Sequence, residues 1–324
     1  MIINSKLIVK KKWGKINMKL IRKIQLVIDQ SENSDNATMQ AMKMAKKLDA
    51  EVSSLFVVNT HMHKTPNVID AMVRTGKKQL DNLKNMASNL GINMTTSKVL
   101  VGGPTHDILK ETNANQSDFL IMGAGDNSPN SNVQTKLIRK AKTNFMLVRD
   151  NLKDQDLKKI LVLTNDTELE KAPLFAAKLS REYGAELTAC HVVDVEEGLI
   201  KERVVYLPEA SGRTNMPRRG LGENVSLSPT LIARMKDELT REGYKVTDTV
   251  ANIAKSVGVD NTKSVVLNGK PAEEIIRFVK ESDFDLIVME HTKRNLLSQL
   301  ISGSVPDKVA RNAPCSVLIV NSAS

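Results

Sequence analysis

The sequence predicts an α/β fold in which a doubly wound parallel sheet occurs twice in tandem. Three observations carry that prediction. The chain repeats itself, in the same order, in its two halves. Within each half, apolar runs of strand length alternate with segments of helical period. The strand runs are nearly continuous in Val, Ile and Leu, as parallel strands covered on both faces require.

The elements follow in order. KIQLVIDQSEN (23–33) matches KILVLTNDTEL (159–169); each is an apolar run that ends in a polar turn. NATMQAMKMAKKL (36–48) and APLFAAKLSREY (172–183) set apolar residues three and four apart, the stripe of a helix with one buried face. LDAEVSSLFVVN (48–59) matches YGAELTACHVVD (183–194) as the second strand. VLVGGPTHDIL (99–109) matches VLNGKPAEEII (266–276), a strand running into a helix. Pro104 and Pro271 fall in the first turn of that helix, where a missing N–H costs nothing. DFLIMGA (118–124) pairs with DLIVMEH (285–291), and KTNFMLVRD (142–150) with PCSVLIVNS (314–322). Strand–helix alternation with right-handed crossovers then gives the doubly wound arrangement.

The register of the repeat locates an insertion. The second strands are offset by 135 residues, but the pairs at 99 and 118 by 167. About 32 extra residues therefore enter after Asp194, and the segment 195–228 is rich in turn formers and basic residues. It reads either as a surface loop or as a docking segment in which Arg213, Arg218 and Arg219 meet an anion. The expected layout is a basic tail at 1–17, a first unit at 18–150, a linker at 151–156 and a second unit at 157–324.

Composition bounds the function. The chain has 324 residues, 41% hydrophobic and 26% charged, which fits two packed units and not a disordered chain. Aromatics make up only 3%, too few for base-stacking platforms. The net charge of +10 falls to +5 once Lys6, Lys10, Lys11, Lys12 and Lys15 are set aside. These five lie in an acid-free segment that also holds Trp13, the only tryptophan. That segment reads as a disordered tail, a start placed ahead of Met18, or a basic arm for acidic lipid or nucleic acid. Concentrating the charge there argues against nucleic acid as the main partner. No stretch reaches the roughly 18 consecutive apolar residues of a membrane helix. Cys190 and Cys315 lie far apart without a CxxC partner and read as buried thiols of a cytoplasmic protein.

The motifs VIDQSE, HVVD, NGKPAEEII and, above all, the stretch DLIVMEHT followed by GSVPDKVARNAPCSVLIV resemble the universal stress protein family in its tandem two-domain form. The resemblance covers Ile24–Arg149 and Leu157–Val320. It implies five parallel strands per half in the order 3-2-1-4-5, in a Rossmann-like, adenine nucleotide alpha-hydrolase-like arrangement. It also implies that the halves pair through their last strands as an intramolecular pseudo-dimer. A further homodimer and unidentified protein partners are left open. Ligands of such sheets bind at the carboxyl ends of strands one and four, where the connections diverge.

Nucleotide-binding members of the family are expected to carry an acid at the end of strand one. After strand four they carry Gly-x-x-Gly, nine residues, then Gly-Ser or Gly-Thr, which bring backbone N–H groups and a helix N-terminus to the phosphates. In the first half the counterparts are Asp29, Gly102, Met122 and Gly123. Asp126 stands at the second glycine position, the loop is about five residues shorter, and Gly-Ser is missing, so this half is expected to hold no ATP. In the second half Asn165 replaces the acid, Val192 falls at the adenine-packing position, and Glu290 and Lys293 replace both glycines. Gly303, Ser304 and Val305 are intact after a nine-residue spacer. The expected site for ATP or another adenine nucleotide comprises Asn165, Val192, Gly269, Met289, His291, Lys293, Arg294, Gly303, Ser304 and Val305. Lys293 and Arg294 would supply charge in place of bare backbone. Glu290 would oppose that, or pair with Lys293, Arg294 or the insertion.

An enzyme is not expected. The sequence has no nucleophile elbow, zinc spacing or Walker A loop. His61 and His63 are spaced for a metal but lack a partner nearby and read as exposed, whereas His191 reads as a core histidine. Two functions remain: a stress-response regulator or scaffold with a degenerate site, or an ATP-binding switch that uses the second half.

Overall fold

The computed structural model describes residues 19–29, 31–125, 131–152, 156–164, 171–195, 229–291 and 305–321. The first half runs β1 (Lys23–Ile28), α1 (Glu32–Leu48), β2 (Glu51–Asn59), α2 (Pro66–Leu90), β3 (Met94–Gly102), α3 (Pro104–Ala114), β4 (Phe119–Gly123), α4 (Ser131–Lys140) and β5 (Asn144–Val148). The second runs β6 (Lys159–Thr164), α5 (Lys171–Tyr183), β7 (Glu186–Val193), α6 (Pro229–Ser256), β8 (Thr262–Asn268), α7 (Pro271–Lys280), β9 (Leu286–His291), α8 (Val305–Asn312) and β10 (Ser316–Asn321). Pro66, Pro104 and Pro271 each open a helix, as a fixed φ and an absent donor favour.

The halves join through their last strands, as the resemblance implies. The strands form one ten-stranded sheet in the order β3-β2-β1-β4-β5-β10-β9-β6-β7-β8. Each half keeps the 3-2-1-4-5 order and parallel pairing, while β5 and β10 meet antiparallel with Leu147, Met146 and Phe145 opposite Val317, Leu318 and Ile319. Two edge strands that would otherwise present unpaired N–H and C=O groups satisfy each other.

Helices α1, α2, α5 and α6 cover one face of this sheet, and α3, α4, α7 and α8 the other. Each face carries a core that runs through both halves. Phe119 of β4 stacks on Phe175 of α5 with ring centroids 6.1 Å apart. The amine of Lys47 lies 4.9 Å from the ring centroid of Tyr183, again from one half to the other.

The seam repeats its contacts about a pseudo-twofold. The Arg149 N–H donates to Ser316 Oγ, and the Asn321 N–H donates to Asn144 Oδ1, both at 3.0 Å. Arg139 of α4 donates to Asp307 of α8 through Nη2 at 2.6 Å and Nε at 3.1 Å. The symmetry-related pair is Arg311 to the Thr135 hydroxyl at 2.9 Å. Asp307 is 3% exposed, so its charge is withdrawn from water and held by a guanidinium. Arg139→Ala should lower stability in urea unfolding by about 2–3 kcal/mol, below a fully buried pair because Arg139 is half-exposed. The neutral counterpart Arg311→Ala should cost only about 1 kcal/mol. Equal losses from the two would show that the ion pair adds nothing.

Candidate functional site

The carboxyl ends of β1 and β4, and of β6 and β9, lie where the doubly wound topology directs a ligand. In the first half this edge is already engaged by the protein. Asp29 Oδ1 accepts from the Ser31 N–H at 2.9 Å and from its hydroxyl at 2.6 Å. Ser31 in turn caps α1 by accepting from the Ser34 N–H, and Ser34 Oγ accepts from the Asp29 N–H at 2.9 Å. The acid expected to face a nucleotide thus organises the start of α1.

Gly123 is tied up in the same way. Its carbonyl accepts from Gln134 Nε2 at 3.0 Å. The next residue, Ala124, donates its N–H to the Val148 carbonyl at 2.8 Å, and its carbonyl accepts from Asn33 Nδ2 at 2.5 Å. A Cβ at Gly123 would come within 2.5 Å of the Asn33 carbonyl group. Glycine is needed here because the first turn of α1 lies against the strand end, a packing reason and not a phosphate one.

The second half solves the same junction with a side chain. Glu290 takes the place of Gly123 in the repeat and is 5% exposed. Its Oε2 accepts from the Ala172 N–H at 3.2 Å, and the Lys171 N–H also bonds the carboxylate, so Glu290 caps the N-terminus of α5. Burial pushes its pKa up, opposed by the two backbone N–H groups and the Lys171 charge. Lys293, Arg294 and most of the insertion, the partners expected for Glu290, lie outside the described residues. Sequence reasoning missed Lys171 and Ala172 because backbone donors leave no mark on residue type.

The other expected residues are placed unevenly. Met289 is buried in β9 and Val192 half-buried in β7. Gly269 sits at φ +133 at the entry to α7, a backbone that glycine adopts without strain. Gly102 ends β3, Met122 is half-buried in β4, and Val305 opens α8. His291 lies at the end of β9, where it pairs with Asn321. Its side chain, Asn165, Lys293, Arg294, Gly303 and Ser304 lie outside the described residues, as do Asp126, the tail at 1–17 and most of the insertion.

His191 is a core residue. Its Nδ1 lies 3.2 Å from the Thr164 carbonyl and 3.3 Å from the Thr164 hydroxyl. Cys190 and Cys315 are free and buried, and burial pushes both thiols up to about 12. Neither is a nucleophile at neutral pH. Among the described residues no group of three or more His, Cys, Asp or Glu is arranged to hold a metal, and no helix is long and apolar enough to cross a membrane.

The Universal stress protein family profile matches residues 20–149 and again 156–321. The chain belongs to the universal stress protein family. Half of this universal stress protein aligns with a universal stress protein of Methanocaldococcus jannaschii at 30% identity, covering 81% of that relative. Half aligns with one of Bacillus subtilis at 29% identity, covering 97% of it. Relatives of single-unit length on half of this chain agree with the duplication. The fold of a universal stress protein from Archaeoglobus fulgidus superposes with a TM-score of 0.63 at 18% identity, over 92% of this chain and 98% of that one.

Proposed function

We propose that this universal stress protein is a non-enzymatic regulator or scaffold of the stress response, closed to ATP at the strand ends of both halves. Glu290 carries the reading. A triphosphate arriving at the end of β9 would meet a buried carboxylate whose helix-end donors are already engaged, and like charges at that distance repel. The first half supports the same conclusion differently, because the backbone groups of Gly123 and Ala124 are bonded to Gln134, Val148 and Asn33. A protein without a bound nucleotide acts through its surface, on protein partners. The β5–β10 pairing uses the edges by which separate units would join, so further self-association would employ other surfaces. Two reduced, buried thiols fit a cytoplasmic setting.

Purified protein, denatured and assayed for released nucleotide, should yield none, and any calorimetric heat with millimolar ATP should be unchanged by a bulky substitution at Gly303. Stoichiometric ATP, or a heat lost on substitution of Gly303, would overturn the proposal in favour of an ATP-binding switch in the second half.

A further inference from the structure

Helices α3 and α4 pack side by side on the first half and leave a cavity of about 920 Å³ between them. That volume suits a small organic ligand. Asp29, Gly102, Met122 and Gly123 do not line it, although Asn59 at the end of β2 and Gly103 just past β3 do. Lys110 of α3 and Lys136 and Lys140 of α4 line it along its length. His61, from the turn after β2, and His106, in the first turn of α3, stand with them. No Asp or Glu is among its lining residues. None of the three lysines is ion-paired among the described residues. Between the charges the wall is apolar, formed by Met62, Leu109 and Val133.

The duplicated half is an internal control. In the repeat, Glu273 stands for His106, and Asn312 for Lys140. Arg277 stands for Lys110 but is tied to Glu274 and to Glu281, the latter at 4.0 Å. Only Lys136 keeps its charge and its freedom to act, as Lys308. A basic α3–α4 groove is therefore no requirement of the fold, since the same helix pair is built without it. Unneutralised like charges around a cavity destabilise a protein slightly and attract an anion strongly.

We infer that the α3–α4 groove of the first half binds a small organic phosphate, its anionic group held by Lys110, Lys136 and Lys140 and its less polar part laid on Met62, Leu109 and Val133. The lysines act as flexible point charges suited to phosphate, and the apolar wall favours an ester over the free ion. The groove lies wholly in the first half, so it stands whether or not the second half admits ATP.

Calorimetric titration with phenyl phosphate and with inorganic phosphate tests this on the full chain. Phenyl phosphate should bind at least about tenfold more tightly than inorganic phosphate. The double variant Lys110→Glu, Lys136→Glu should weaken it by about tenfold or more, and Lys308→Glu on the counterpart helix should leave it unchanged. Phenyl phosphate should also protect His61 and His106, but not His63, from carbethoxylation read by peptide mass. All the substituted lysines are exposed, so the variants should fold as the parent does. Absence of binding by the parent protein, equal weakening by Lys308→Glu, or equal protection of His63 would each overturn the proposal.

Discussion

Leu318→Asp is expected to abolish the native state of both halves, although the change lies in the last strand of the second. Leu318 is fully buried at the centre of β10 and sits opposite Met146 of β5, itself fully buried. An ionised carboxylate there has no partner within the seam, and such burial costs several kcal/mol even after relaxation. Against a total stability of roughly 5–15 kcal/mol that loss is large. The milder Leu318→Ala should cost about 2–5 kcal/mol through lost transfer energy and the cavity left behind. The loss should not be confined to one half, because the same core cluster takes in Leu318, Met146, Phe119 and Phe175, two residues from each half. Equilibrium unfolding in urea, followed by circular dichroism and by proteolysis of each half, measures this. A Leu318→Asp protein whose first half stays folded and protease-resistant would show that the seam merely joins two independent units.

The extent of that seam was only partly legible in the sequence. The duplicated pattern, the strand runs and the proline-led helices read directly, because burial on both faces and helix starts each impose local residue choices. The merging of two sheets into one was implied by family resemblance alone. Strand pairing is a matter of backbone, and the runs PCSVLIVNS and KTNFMLVRD look like any buried strand. The candidate site divides the same way. Asp29 and Gly123 are correctly placed at the strand ends, yet the bonds they make belong to α1 packing. Residue type reports what a position can do, and only geometry reports which partner has taken it. The groove lysines carry a faint sequence signal, since His106 and Lys110, and Lys136 and Lys140, recur four apart on one face of their helices. That spacing is shared with every solvated helix, so the contrast with Glu273 and Asn312 becomes informative only once α3 and α4 are known to be neighbours.

Glu290 permits a second experiment in which two substitutions at one position should act in opposite ways. Glu290→Ala removes the acceptor for the first N–H groups of α5 and leaves them buried, at a cost of about 1–3 kcal/mol. Glu290→Gln keeps an acceptor oxygen and removes the charge. The two differ because the Glu290 pKa is raised, chiefly by burial, from its ordinary 4.5. In mildly acidic solution the folded protein then holds this proton more tightly than the unfolded chain does. The contribution of Glu290 to stability is therefore greatest below its ordinary pKa. It falls as pH rises towards the raised value, and is constant above it. Glu290→Gln should remove that fall, so the variant should match the parent at low pH and equal or exceed it at neutral pH. Glu290→Ala should be the least stable of the three at neutral pH. Urea midpoints taken at closely spaced pH values for the three proteins give the comparison. A Glu290→Gln protein with the parent's pH slope would assign that slope to other carboxylates. An Ala variant as stable as the parent would show that the end of α5 does not need the cap. Should both expectations hold, the residue at the glycine position of the phosphate loop is a structural acceptor. The first N–H groups of α5 would then be bonded from within the chain, and a nucleotide phosphate would have no unmet donor there to compete for.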